Sequence, residues 1–170
     1  MVDQLADQLA LYGVPVLAGA TPAERPRPLA EVMADLAGQP VARLHAALTA
    51  LLLARPEVAD ALPAAETAAR GRYGEAAVAR LRTFYQAAVY LQRDWKWRIA
   101  LYTGRDADRM ADLDDRYGPG LGLPGADDLH GRAALVALAE REGEPTATFE
   151  AAVEMLAAVW AARGPRTFAR

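Results

Sequence analysis

Apolar residues recur at helical spacing through 75–102, where Ala77, Leu81, Phe84, Ala88, Leu91 and Trp95 follow one another at steps of 4, 3, 4, 3 and 4 and Tyr102 continues the line. At about 100° per residue these positions form one stripe along a helix. The stretch has no proline or internal glycine, follows Gly74 and stops at Thr103-Gly104, so it is predicted to be the longest helix of the chain. Tyr90, Trp97 and Leu101 fall nearly opposite the stripe, with Glu75, Arg82 and Arg93 on a polar strip beside them. A helix apolar on two sides is covered on two sides. Two arrangements satisfy that condition. Either the chain's own helices cover both faces, or Tyr90, Arg93, Trp97 and Leu101 form a contact surface for a protein partner or a second copy, since Trp, Tyr and Arg dominate such surfaces.

The same spacing marks the other elements. Val2, Leu5, Leu9 and Tyr12 share one side of a first helix that stops at Gly13. Residues 14–28 form a proline-rich connector, with Val14 to Leu17 extended and Glu24 to Pro28 a solvated linker. Pro28 and Pro40 each open a helix, the first carrying Leu29, Val32, Met33 and Leu36 and the second Val41, Leu44, Leu48, Leu51 and Leu52. Pro56 and Pro63 divide the next stretch into short turns, and Gly71 and Gly74 lead into the long helix. Beyond a Gly/Pro-rich connector at 118–125, Asp127 and Asp128 cap a helix over Ala126 to Glu142, whose inward residues are Leu129, Ala133, Val136 and Ala137. The last helix, Thr146 to Arg163, presents Phe149, Val153, Leu156 and Trp160 and is followed by a frayed tail at 165–170. The fold class is therefore all-α: one compact domain over 1–170, with about six to eight helices around 75–102.

The most polar stretch, 105–117, keeps Met110, Leu113 and Tyr117 at helical spacing and is predicted as an acidic helix. Asp108, Asp112 and Asp115 would share a face of it at steps of four and three, a pattern that could hold Mg²⁺ for a reaction on an anionic substrate. No second acidic cluster accompanies them, and a solvated helix face explains them as well.

Composition narrows the function classes. A net charge of −3 argues against a protein built mainly to bind nucleic acid. Arg80, Arg82, Arg93, Lys96 and Arg98 leave room for a weak nucleic-acid contact, as in a regulatory or antitoxin-like subunit, although they point several ways around their helix. The absence of cysteine and serine removes disulfides, thiolate chemistry and a Ser/His/Asp triad. His45 and His130 are far apart in sequence, and His45 at the edge of its helix's core face reads as a packed residue. Neither a phosphate loop nor an HExxH motif occurs, and no cofactor is called for. No signal sequence precedes the first helix and no apolar run reaches membrane-spanning length, so a cytoplasmic location is expected. The reading that remains is a non-catalytic helical interaction or adaptor protein acting through the aromatic face of its central helix.

Overall fold

The computed structural model describes residues 2–14, 21–123 and 131–163. Among them are seven α-helices and no strand: α1 (Val2–Ala10), α2 (Leu29–Gly38), α3 (Ala42–Ala54), α4 (Leu62–Tyr73), α5 (Glu75–Thr103), α6 (Gly131–Glu142) and α7 (Thr146–Arg163). Two 3-10 turns, Pro56–Ala61 and Pro119–Leu121, join them. This is the all-α bundle around a long central helix that the periodicity predicts.

The centre of α5 goes further than its stripe. Every residue from Thr83 to Gln92 is buried, because α2, α3, α4, α6 and α7 all pack against this helix. The second half of α3 is enclosed in the same way, between α5 and α7. Thr49 is buried at the α3–α5 contact, and its hydroxyl donates to the Phe84 carbonyl at 3.1 Å, which meets the hydrogen-bonding demand of a polar group without water. Where α2, α4 and α5 meet, the buried residues are Ala34, Ala69, Ala77 and Val78. Small side chains let helix axes approach closely, so the alanine-rich composition contributes proximity where it contributes little buried area.

Four local expectations change. The inward face of α6 is Gly131, Ala134, Leu135 and Leu138, whereas Ala133 and Val136 are exposed and Ala137 is half-buried. The phase is set by Gly131: a Cβ there would lie 2.4 Å from the Tyr90 carbonyl oxygen and 2.8 Å from the Asp94 nitrogen, so the α6 backbone rests directly on α5. Trp160 sits at the rim with 39% of its surface exposed and meets the Tyr102 ring at a tilt, centres 5.8 Å apart, while Phe149, Val153 and Leu156 are core as predicted. Gly71 lies within α4 rather than in a turn. Finally, 24–28 is not a free linker. The buried Gln8 amide donates to the Arg25 carbonyl and accepts from the Arg27 backbone N–H, both at 2.9 Å. Leu129, Asp127, Asp128, the 15–17 part of the extended segment and the 165–170 tail lie outside the described residues.

Arg27 then reaches the one buried carboxylate of α2. Asp35 accepts Arg27 Nη2 at 2.6 Å, Tyr73 Oη at 2.8 Å and Arg72 Nη1 at 3.1 Å, which joins the connector, α2 and α4 at one side chain. Burial raises the carboxyl pKa, but the hydrogen bonds from Arg27, Tyr73 and Arg72 outweigh it and hold the group below its usual value.

Gly131→Ala should cost about 1–3 kcal/mol in urea unfolding, as overpacking against backbone does, while Gly71→Ala, with open space around its added methyl, should stabilise by about 0.4–1 kcal/mol. Because the folded pKa of Asp35 is depressed, its stabilisation is fully present above the unfolded value and is lost as pH falls through the lower folded value. Asp35→Asn should therefore lower stability at neutral pH and flatten the acid limb of a stability-against-pH curve.

Candidate functional site

The predicted contact face on α5 divides in two. Tyr90 is fully buried, whereas Trp97 is 71% exposed and Leu101 54% exposed. The physical reason lies between them: Trp95 leaves helical geometry (φ −124, ψ 25), so 75–94 and 96–103 are two helical segments and a single wheel does not carry across. Tyr90 belongs to the first segment, beneath the α6 docking point at Gly131. Trp97 and Leu101 belong to the second, one turn apart and both facing out. Arg93, at the end of the first segment, is exposed and engaged in an interaction of its own. Tyr102, about 100° further round the helix, meets Trp160 of α7 at a tilt, ring centres 5.8 Å apart.

The basic residues of this helix are spent on the fold. Arg80 Nε donates to the Ala37 carbonyl at 2.7 Å and closes the C-terminus of α2. Arg82 makes a two-pronged contact with Glu66 at 2.6 and 3.1 Å. Lys96 Nζ donates to Asp112 at 2.7 Å, and the Arg98 guanidinium lies 5.3 Å from the Trp95 ring centre.

The acidic segment is not a helix. After a single hydrogen-bonded turn at 107–109, the segment runs back along α5 as a strap, with 111–116 free of helix. Its buried residues, Ala107, Met110 and Leu113, stand three apart, and the strap's backbone groups turn to α5 side chains for partners. Gln92 does most of this: its Nε2 donates to the Ala111 carbonyl at 2.9 Å and its Oε1 accepts the Leu113 N–H at 2.7 Å. Gln86 donates to Asp115 Oδ1 at 2.7 Å and accepts the Tyr117 N–H at 3.2 Å, while the Tyr85 hydroxyl donates to the Asp114 carbonyl at 3.0 Å. Tyr85 and Gln92 lie within about 20° on a helical wheel, which makes one face of α5 the track for the strap.

The far end of the strap is anchored by charge. The Tyr117 hydroxyl donates to Glu66 at 2.5 Å, its ring meets Tyr85 edge-on at 5.3 Å, and the Arg82 guanidinium lies 5.5 Å from its centre. The Arg82 hydrogen bond holds the Glu66 carboxyl below its ordinary pKa, and burial followed by the Glu66 carboxylate pushes the Tyr117 phenol up.

The three aspartates therefore do not share a helix face. Asp112 is bonded to Lys96, Asp115 holds the Gln86 amide and the Gly118 N–H, and Asp108 is exposed. Among the described residues no three His, Asp or Glu side chains stand close enough to share a metal ion. His45 sits on another face, its ring 5.0 Å from Phe84, and His130 is outside the described residues. The signal for the strap is in the sequence, in Gln86 and Gln92 within an otherwise apolar helix centre, but glutamine is also an ordinary helix former and the spacing of Met110, Leu113 and Tyr117 imitates a helix.

No protein-family model matches the chain, and no curated protein or solved structure matches it. Among the described residues no helix is long and apolar enough to cross a membrane.

Gln92→Leu keeps the helix and the side-chain volume but orphans the buried Leu113 N–H, while the carbonyl of the exposed Ala111 can turn to water. It should cost about 1–3 kcal/mol, the penalty for one unsatisfied buried group, and should speed exchange of the Leu113 amide in hydrogen-exchange mass spectrometry more than that of α3 amides.

Proposed function

We propose that the protein is a non-catalytic helical interaction module that self-associates or binds a protein partner through the second segment of α5, with Trp97 and Leu101 as the anchor. The observation that carries the reading is the 71% exposure of Trp97, the greatest among the exposed large apolar side chains described, one turn from the half-exposed Leu101. Leaving a tryptophan in water forgoes about 2–3 kcal/mol that its burial would contribute, and a second protein surface recovers it. Two side chains do not make an interface of about 800 Å² per partner. They supply the centre of one, with Tyr102 and Trp160 extending it and the exposed Arg98 on its polar rim.

The test is the solution mass by light scattering across a concentration series, for wild type and for Trp97→Ala with Leu101→Ala. The expected result is a wild-type dimer, a monomeric double variant, and unfolding curves within about 0.5 kcal/mol once dissociation is accounted for, as exposed substitutions give. A monomeric wild type overturns self-association through this face, and a double variant that unfolds shows that these side chains belong to the core.

A further inference from the structure

Three helices end beside one another on the surface, and each end carries an arginine. Arg55 follows the last residue of α3, Arg105 comes just past Gly104 at the end of α5, and Arg163 closes α7. All three line a single cleft of ≈ 310 Å³. That volume lies at the lower edge of the range of about 300–1,000 Å³ that small-molecule sites occupy. Tyr12 and Tyr102 add two phenol rings to the wall, and Leu156 and Val159 an apolar strip.

Cations suit helix C-termini, where they meet the last carbonyls, and that need alone would explain an arginine at each end. Here the main chain has already met much of it. The Arg55 N–H donates to the Leu51 carbonyl and the Arg105 N–H to the Ala100 carbonyl, both at 2.9 Å, and the Thr103 hydroxyl donates to the Ile99 carbonyl at 2.7 Å. None of the three guanidiniums hydrogen-bonds a carbonyl among the described residues, in contrast to Arg80, which closes α2 in that way.

Their charge is not balanced either. The lining holds no carboxylate. Among the described residues the acid paired with them is Glu57, just outside the cleft, which accepts Arg105 Nη2 and Nη1 at 3.0 and 3.3 Å and lies 3.6 Å from Arg55 Nη1. One carboxylate thus holds two guanidiniums in place and neutralises one charge. Arg163 has no ion pair or hydrogen bond among the described residues. Three guanidiniums against one carboxylate leave two positive charges, the complement of a phosphate dianion. A guanidinium also presents its N–H groups as a planar fork that matches phosphate oxygens in pairs.

We propose that this cleft binds a small organic phosphate monoester. The phosphate takes paired N–H groups from Arg163 and Arg55, Arg105 adds its charge, and the organic part lies against Leu156 and Val159. None of the three arginines belongs to the contact face at Trp97, so this site and that face stand or fall separately.

The test titrates the full chain by NMR with phenyl phosphate, inorganic phosphate and benzoate. Phenyl phosphate should saturate and shift the Gly13, Thr103 and Arg105 amides. It should bind more tightly than inorganic phosphate, which lacks the organic part, and than benzoate, which carries a single charge. Arg163→Gln and Arg55→Gln should each weaken phenyl phosphate at least about tenfold, the factor that losing a charge-assisted hydrogen bond produces. The thermal midpoint should stay unchanged in both, because these side chains are exposed. Arg43→Gln, which removes the same charge from an exposed position outside the cleft, should bind like wild type. The proposal is overturned if no probe saturates, if benzoate binds as tightly as phenyl phosphate, or if Arg163→Gln and Arg55→Gln bind like wild type. It is equally overturned if Arg43→Gln weakens binding as much as they do, which would mark a diffuse charge effect, or if inorganic phosphate binds as tightly as the ester, which would make a free oxyanion the ligand.

Discussion

A chain segment that crosses a helix in extended form needs partners for its backbone N–H and C=O groups, and this requirement shapes the molecule. No neighbouring strand is present among the described residues to supply them. The side chains of α5 do so instead, Gln92 to Ala111 and Leu113, Gln86 to Tyr117, Tyr85 to Asp114. An amide side chain suits this because it offers a donor and an acceptor on one planar group, the same pair that a neighbouring strand would present. With the strap in place, the middle of α5 is sealed on its last open side, and a helix carrying Thr83, Gln86 and Gln92 can be buried throughout.

The sealing explains how a sequence poor in large apolar residues still builds a core. Alanine contacts bring α2, α4 and α5 together, and glycine brings α6 onto α5, so the larger side chains of α3 and α5 fill a small number of deep layers. Charge is used at the edges of those layers. Asp35 gathers Arg27, Arg72 and Tyr73 where three elements meet, and Glu66 gathers Arg82 and Tyr117 where the strap ends. In each case the carboxylate is shielded from water and its donors come from distant parts of the chain, the arrangement in which such groups matter most.

The helices could be read from the sequence because their signals are local: proline at the starts of α2 and α4, glycine after α5, and apolar residues at steps of three and four. The stripe from Ala77 to Leu91 is buried throughout. What could not be read depends on contacts between distant residues. The phase of α6 follows from one backbone approach at Gly131, and neither Val136 nor Leu135 announces which of them faces inward. The break at Trp95 separates Tyr90 from Trp97 although nothing in the residue types marks it. The segment 105–117 has the composition of a solvated helix, and only the glutamines opposite it explain why it lies flat.

The strap has one more consequence. Gln92 grips the main chain at Ala111 and Leu113 without consulting their side chains, and Tyr85 does the same at Asp114. The exposed positions between the buried anchors, Asp108, Ala111 and Asp114, are thus a stretch of text that the fold does not spell-check. Random drift can rewrite those letters freely, and an engineer could write a short epitope there, displayed in a fixed extended shape on a rigid helical backing.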